Sequence, residues 1–139
     1  MKRASLVLVC GLLLMAVGCG GGGPKRVPVS GRVTIDGKPL KYGRIFVFPQ
    51  GVRASQGILD ADGRFELMAY KQGDGVALGT HVVTIDAGEI LSETDTKWHA
   101  PKKYLDPATS ELSMVVEGPA ADIEISLSWE GGKPFVETL

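Results

Sequence analysis

Alternation of apolar and polar residues is the feature that most constrains the fold of this chain. Val29, Val33 and Ile35 lie at odd-numbered positions, and polar residues lie at the even-numbered positions between them. This alternation is typical of a β-strand with one buried face. The pair Asp36-Gly37 follows at once, and both residue types accept the positive φ angles of a tight hairpin turn. The sequence therefore predicts a strand that leads into a β-hairpin.

The same pattern recurs along the chain and predicts an all-β fold. Further strands are predicted at 42–48, 54–59, 64–70, 80–87, 112–117 and 123–129. Turn residues separate them, and no stretch between 28 and 129 has helical periodicity longer than a turn or two. We therefore predict an antiparallel β-sandwich of about seven strands over residues 28–129.

The beginning of the chain has the composition of an export signal. Lys2 and Arg3 are positive, an apolar run follows, and small residues lead into Cys19. The apolar run is shorter than the roughly 20 residues that a helix needs to cross a bilayer. We therefore predict a removable N-terminal signal helix.

The sequence Ala16-Val17-Gly18-Cys19 resembles the lipobox of bacterial lipoproteins, although Leu is commoner than Ala at its first position. The resemblance implies a lipoprotein signal peptide at 1–18 and a covalent diacylglycerol or acyl lipid on Cys19. The membrane would then be a partner through this lipid anchor, and stable attachment is expected. The alternative is a conventional signal cleaved after a small residue, which would release the protein.

Location within the envelope follows from the same resemblance. The residue after Cys19 is Gly20, whereas in a cell with two membranes an aspartate there commonly retains lipoproteins at the inner membrane. We therefore expect a lipid-anchored protein of the cell envelope, with the outer membrane favoured over the inner.

Charge and cysteine content argue against a nucleic-acid-binding protein and against a disulfide-stabilised domain. The formal net charge is −1 and no basic patch is present, so nucleic acid is not expected as a partner. Of the two cysteines, Cys10 lies in the predicted signal and Cys19 at its end. The predicted domain therefore depends on its hydrophobic core, without a disulfide framework.

Two segments outside the predicted sandwich are expected to be flexible. Residues 19–27 form a Gly-rich linker that ends in basic Lys25 and Arg26. That pair could contact anionic headgroups, but a solubilising tether is the favoured interpretation. Residues 130–139 are interpreted as a flexible tail.

Several motifs resemble the carboxypeptidase-regulatory-like, transthyretin-like domain found in many bacterial lipoproteins. They are VSGRVTIDGKPL (29–40), DADGRF (60–65), GTHVVTI (79–85) and KYLDPATS (103–110). The resemblance implies a transthyretin or prealbumin-like sandwich of immunoglobulin-like architecture, in a family that mostly lacks assigned activity. The family's hydroxyisourate hydrolases end in Tyr-Arg-Gly-Ser, whereas this chain ends Phe-Val-Glu-Thr-Leu.

No catalytic or metal-binding residues are predicted. The acidic turn at 60–63 lacks the further ligands of a calcium loop and is interpreted as a plain hairpin turn. His81 and His99 are the only histidines, and their spacing is not that of a zinc site. His81 is interpreted as a packing residue. We predict that the protein is not an enzyme and needs no cofactor beyond the covalent lipid.

The long connection 88–104 is the best candidate for binding. It contains Trp98, His99, Lys102, Lys103 and Tyr104, which could offer aromatic faces and cations to a sugar, a peptide or an anionic polymer. In the structural alternative, Trp98 folds back over an open end of the sandwich.

The expected function is therefore that of a membrane-anchored envelope lipoprotein. Its sandwich would be a non-catalytic binding or structural module, with an envelope protein or polysaccharide as partner. The alternatives are a secreted, unanchored carbohydrate-binding or protein-binding domain, and a small hydrolase that uses His81 and His99.

Overall fold

The structure is a computed structural model that describes residues 23–139. The predicted signal peptide and signal helix, Cys10, the predicted lipid-attachment residue Cys19 and the first part of the linker lie outside the described residues. Among residues 23–139, no helix has the length and apolar character needed to cross a bilayer.

The described part of the chain is all-β, with one short 3₁₀ helix, η1 (Lys102–Leu105). The strands are β1 (Arg26–Val27), β2 (Val29–Ile35), β3 (Lys38–Pro39), β4 (Arg44–Phe48), β5 (Ser55–Ile58), β6 (Arg64–Glu66), β7 (Val76–Ala77), β8 (Gly79–Asp86), β9 (Gly88–Ile90), β10 (Asp95–Trp98), β11 (Leu112–Val116), β12 (Ala120–Leu127) and β13 (Phe135–Thr138).

Two four-stranded sheets form the body of the molecule in a sandwich-like arrangement. One has the strand order β11-β8-β4-β5. The other contains β12-β2-β3, with β6 also paired to β2. A two-stranded sheet, β1-β7, and a three-stranded sheet, β13-β10-β9, extend the body. We call β9, β10 and β13 the terminal sheet.

Alternation explains which residues form the core between the sheets. Val29 and Val33 of β2 are 1% and 0% exposed, while Ser30 and Arg32 between them are only partly buried. The other large buried side chains follow the same rule: Ile45, Val47, Leu67, Val76, Val83, Ile85, Met114, Val116, Ile125 and Leu127. Their burial supplies the main stabilisation of a domain without disulfides.

The predicted turns are confirmed. Asp36 and Gly37 have φ angles of 49° and 78°, which join β2 to β3 in a tight hairpin. At the acidic turn, one Asp60 carboxylate oxygen accepts hydrogen bonds from the backbone N–H groups of Asp62 and Arg64, both at 2.9 Å. The Asp60 side chain therefore stabilises a turn.

The strand count and the purely antiparallel arrangement were wrong. Residues 23–139 contain thirteen short strands instead of about seven. Each predicted strand corresponds to one observed strand, and six more form in the linker (β1), in the connections after β2 and β6 (β3 and β7), in the long connection (β9 and β10) and in the tail (β13). The strand β12 pairs with β2 in parallel. The short 117–119 connection carries the chain from the end of β11 into the other sheet, so β12 starts beside the start of β2.

The predicted linker and tail both contribute strands. Arg26 and Val27 pair with β7, and Val27 is 4% exposed, so the flexible segment predicted to reach residue 27 ends earlier. In the predicted tail, β13 pairs with β10 over four residues. Both pairings join segments that are far apart in the sequence. Local patterns of residues therefore do not predict them.

Gly31 permits the close approach of β2 and β12. A Cβ atom at this position would overlap the backbone carbonyl of Ile123, its partner across the ladder. We expect Gly31→Ala to lower the free energy of unfolding by about 1–3 kcal/mol, because the backbones would have to separate. Chemical denaturation followed by tryptophan fluorescence measures this difference.

Gly118→Ala is the matched control, because a Cβ atom at Gly118 would meet no atom within 4 Å. We expect it to leave stability within about 1 kcal/mol of wild type. Equal unfolding free energies for the two variants would contradict the assigned role of Gly31.

Candidate functional site

The segment predicted as a binding loop is largely ordered secondary structure. Within 88–104 the chain forms β9, β10 and the start of η1, and β10 lies between β9 and β13. The long connection is therefore not an irregular loop. The C-terminal segment supplies the strand that completes this sheet, so the two segments form one surface.

Trp98 and Lys102 meet at a carboxylate of the C-terminal strand. The Trp98 indole N–H donates to Glu137 Oε2 at 2.9 Å. The Lys102 ammonium donates to both Glu137 oxygens at 3.0 Å and lies 5.3 Å from the centre of the indole ring. Trp98, Lys102 and Glu137 form a partly exposed charged and aromatic cluster, which we call the Glu137 cluster. It could bind a polar ligand or partner by hydrogen bonding and stacking.

His99 and Tyr104 do not belong to that cluster. The Nε2 atom of His99 lies 2.6 Å from a Glu89 carboxylate oxygen, and its ring lies 5.1 Å from that of Tyr42. Tyr104 is 5% exposed, and its hydroxyl donates to the carbonyl of Ser128 and accepts from the N–H of the same residue. Tyr104 is therefore a core residue that ties η1 to the end of β12.

Lys103 has a separate partner, the carboxylate of Glu130. This hydrogen bond raises the pKa of Lys103, since it favours the charged ammonium. The five residues predicted for one binding loop thus divide among the Glu137 cluster, the Glu89–Tyr42 contact, the Glu130 contact and the core.

The other histidine, His81, packs inside the sandwich as predicted. It is 7% exposed, and its Nε2 atom lies 2.6 Å from the carbonyl oxygen of Ala77. Among residues 23–139, no group of three or more His, Cys, Asp or Glu side chains is placed to hold a metal ion.

Exposed apolar residues on the terminal sheet are the functional candidates that sequence reasoning missed. Ile90 and Val136 are 79% and 53% exposed, and Leu91 follows β9 in the turn to β10. Because β9 and β13 are the two outer strands of the sheet, each presents a backbone edge that could pair with another strand. The run of strand-forming residues in 135–138 was the available signal.

Comparisons with protein-family models, with curated proteins and with solved structures found no match to this chain.

The Glu137 cluster has a pH dependence that follows from its contacts. Hydrogen bonds from Lys102 and Trp98 lower the pKa of the Glu137 carboxyl below its ordinary value. The contribution of Glu137 to stability is therefore present above the ordinary glutamate pKa of about 4.3 and is lost as the pH falls through the lowered value. We expect an acid transition in tryptophan fluorescence with a midpoint below about 4.3.

Glu137→Gln should abolish this transition, because the amide does not titrate. Glu93→Gln is the control, since Glu93 is exposed in the turn between β9 and β10, and it should leave the transition unchanged. A transition at or above the ordinary glutamate pKa would count against the proposed contacts.

Proposed function

We propose that this chain is a membrane-anchored lipoprotein of the cell envelope and that its β-sandwich is a non-catalytic binding or structural module. Support for the anchor comes from the resemblance of 16–19 to a lipobox, and the four motifs between 29 and 110 support a transthyretin-like domain of the kind found in lipoproteins. The outer membrane is the favoured location because Gly20 follows the cysteine.

The observation that carries the binding role is the position of the terminal sheet. The first residue of β8, Gly79, pairs with Val116 and lies near the end where the chain enters the sandwich. The strand β8 then runs to the opposite end, and β9 begins two residues after it. The terminal sheet therefore lies at the end of the sandwich away from the tether. It would face outward from an anchoring membrane, where an envelope protein or polysaccharide can reach it.

The non-catalytic role is supported by the histidine contacts. His81 is packed against the backbone of Ala77, and His99 contacts Glu89 and Tyr42. The two imidazoles thus serve different parts of the fold, and a hydrolase that used both would need them in one site.

The anchor is tested by mass spectrometry of the membrane fraction from cells that express wild type, Cys19→Ala or Cys10→Ala. We expect a mature N-terminus at Cys19 with added acyl mass in wild type and in Cys10→Ala. The Cys19→Ala protein should lack this mass, because no thiol remains at the attachment position. An unacylated, released wild-type protein would instead support the secreted alternative.

The binding role is tested by a photo-crosslinking residue placed at Ile90 in living cells. The matched control position is Ile58, an isoleucine of β5 that is 71% exposed, against 79% for Ile90. We expect discrete crosslinked products from position 90 and none from position 58, because only the former lies on the terminal sheet. Equal labelling from both positions would argue against a specific contact there.

A further inference from the structure

Four segments meet at the end of the sandwich where the chain enters it, and we call them the N-terminal pole. They are 23–28, 49–54, 67–78 and 117–119. Strand pairing brings them together, since Arg26 pairs with Ala77, and Ala120, which follows the last segment, pairs with Val29. Pro24, Val52 and Leu78 also line one shallow hollow at this end.

The chain length fixes how far this pole can be from the proposed anchor. Only residues 20–22 separate Cys19 from Gly23, where the described structure begins. At 3.8 Å between consecutive Cα atoms, Gly23 lies within about 15 Å of Cys19. A lipid on Cys19 therefore holds this end of the sandwich next to the headgroups.

An exposed aromatic ring and two guanidinium groups form the centre of the pole. Tyr70 is 60% exposed, and the guanidinium carbons of Arg26 and Arg53 lie 4.6 Å and 5.1 Å from the centre of its ring. Leu78, on the same end, is 43% exposed. Aromatic residues beside cations are characteristic of surfaces at the headgroup level of a bilayer.

Asp74 holds this arrangement in place. Its carboxylate accepts hydrogen bonds from the N–H groups of Ala69 and Tyr70, at 2.7 Å and 3.0 Å, and lies 3.6 Å from Arg26 Nε. Burial of the carboxylate opposes its ionisation, but these N–H donors and Arg26 outweigh that effect and lower the pKa of Asp74. The Asp74 carboxylate thus stabilises the turn through its backbone N–H groups, and the side chains of Tyr70 and Lys71 remain exposed.

The charges of the two ends differ in sign. The N-terminal pole contains the cations Lys25, Arg26, Arg53 and Lys71 and the acids Asp74 and Glu117. The segments at the other end, 36–43, 59–63, 87–111 and 128–139, contain ten side-chain carboxylates and six lysines. This asymmetry would orient the molecule with its N-terminal pole towards a negatively charged surface.

We propose that the N-terminal pole is a docking surface for the anionic phospholipid headgroups of the bilayer in which the Cys19 lipid is inserted. The proposal rests on the proposed lipid anchor. Docking orients the sandwich, so that the terminal sheet projects from the membrane. Lys25, Arg53 and Lys71 supply the attraction, while Tyr70 and Leu78 enter the headgroup layer.

The test uses the full chain, purified from membranes and reconstituted into vesicles that carry a headgroup-attached quencher. A fluorophore is placed on Gln72→Cys at the N-terminal pole or on Lys133→Cys at the other end. Vesicles of phosphatidylcholine alone are compared with vesicles that also contain phosphatidylglycerol. Mass spectrometry of the same samples reports whether Cys19 is acylated.

We expect stronger quenching at position 72 in the anionic vesicles, reduced by added salt, and no such difference at position 133. Replacement of Arg53 and Lys71 by Gln should lower the ratio of docked to undocked molecules about 25-fold, since each cation contributes about fivefold. Lys38→Gln with Lys41→Gln is the charge-matched control, because both lysines are exposed near the opposite end.

Each outcome decides one of the two proposals. Acylated protein with equal quenching in the two kinds of vesicle would overturn the docking surface and leave the lipid anchor intact. Unacylated protein would overturn the anchor, and flotation of that protein with phosphatidylglycerol vesicles then decides the docking surface. Flotation that requires Arg53 and Lys71 would support it, and failure to float would refute it.

Discussion

The parallel pairing of β2 with β12 is the contact on which the rest of the molecule depends. It is possible because Gly31 leaves room for the Ile123 carbonyl. The strand β2 also pairs with β3 and β6, so it holds one sheet together. Directly after β12, Ser128 contacts Tyr104 of η1 and Trp129 contacts Phe135 of β13, so this segment connects β12 to the terminal sheet and to the helix that follows β10.

The two ends of the sandwich carry different aromatic and charged groups. Tyr70 at the N-terminal pole is associated with two arginines, whereas Trp98 at the terminal sheet is associated with Lys102 and Glu137. Strands of the sandwich run from one end to the other, so the two surfaces are separated by the length of the domain. With the proposed lipid anchor at the N-terminal pole, the sandwich would act as a spacer between the membrane and the terminal sheet.

Local patterns predicted local structure well. Alternation placed Val33 and Val83 in the core, and the Asp-Gly pairs placed the turns, because side-chain parity and positive φ angles are properties of a few neighbouring residues. The candidate site was predicted less well. Trp98 and Lys102 are together, but their shared partner Glu137 lies in a segment interpreted as a flexible tail. A contact between residues about forty positions apart cannot be detected from the pattern of a few neighbouring residues.

By itself, the sequence determined the all-β class, the buried face of the main strands and the hairpin turns, since each depends on intrinsic residue geometry and apolar spacing. Tertiary structure alone decided that β12 runs parallel to β2, that the ends of the described chain form β1 and β13, and that Tyr104 is buried while Trp98 is only partly buried. The physical reason is that backbone pairing and burial between distant segments depend on which edges and faces meet, and that is established only when the whole chain is folded.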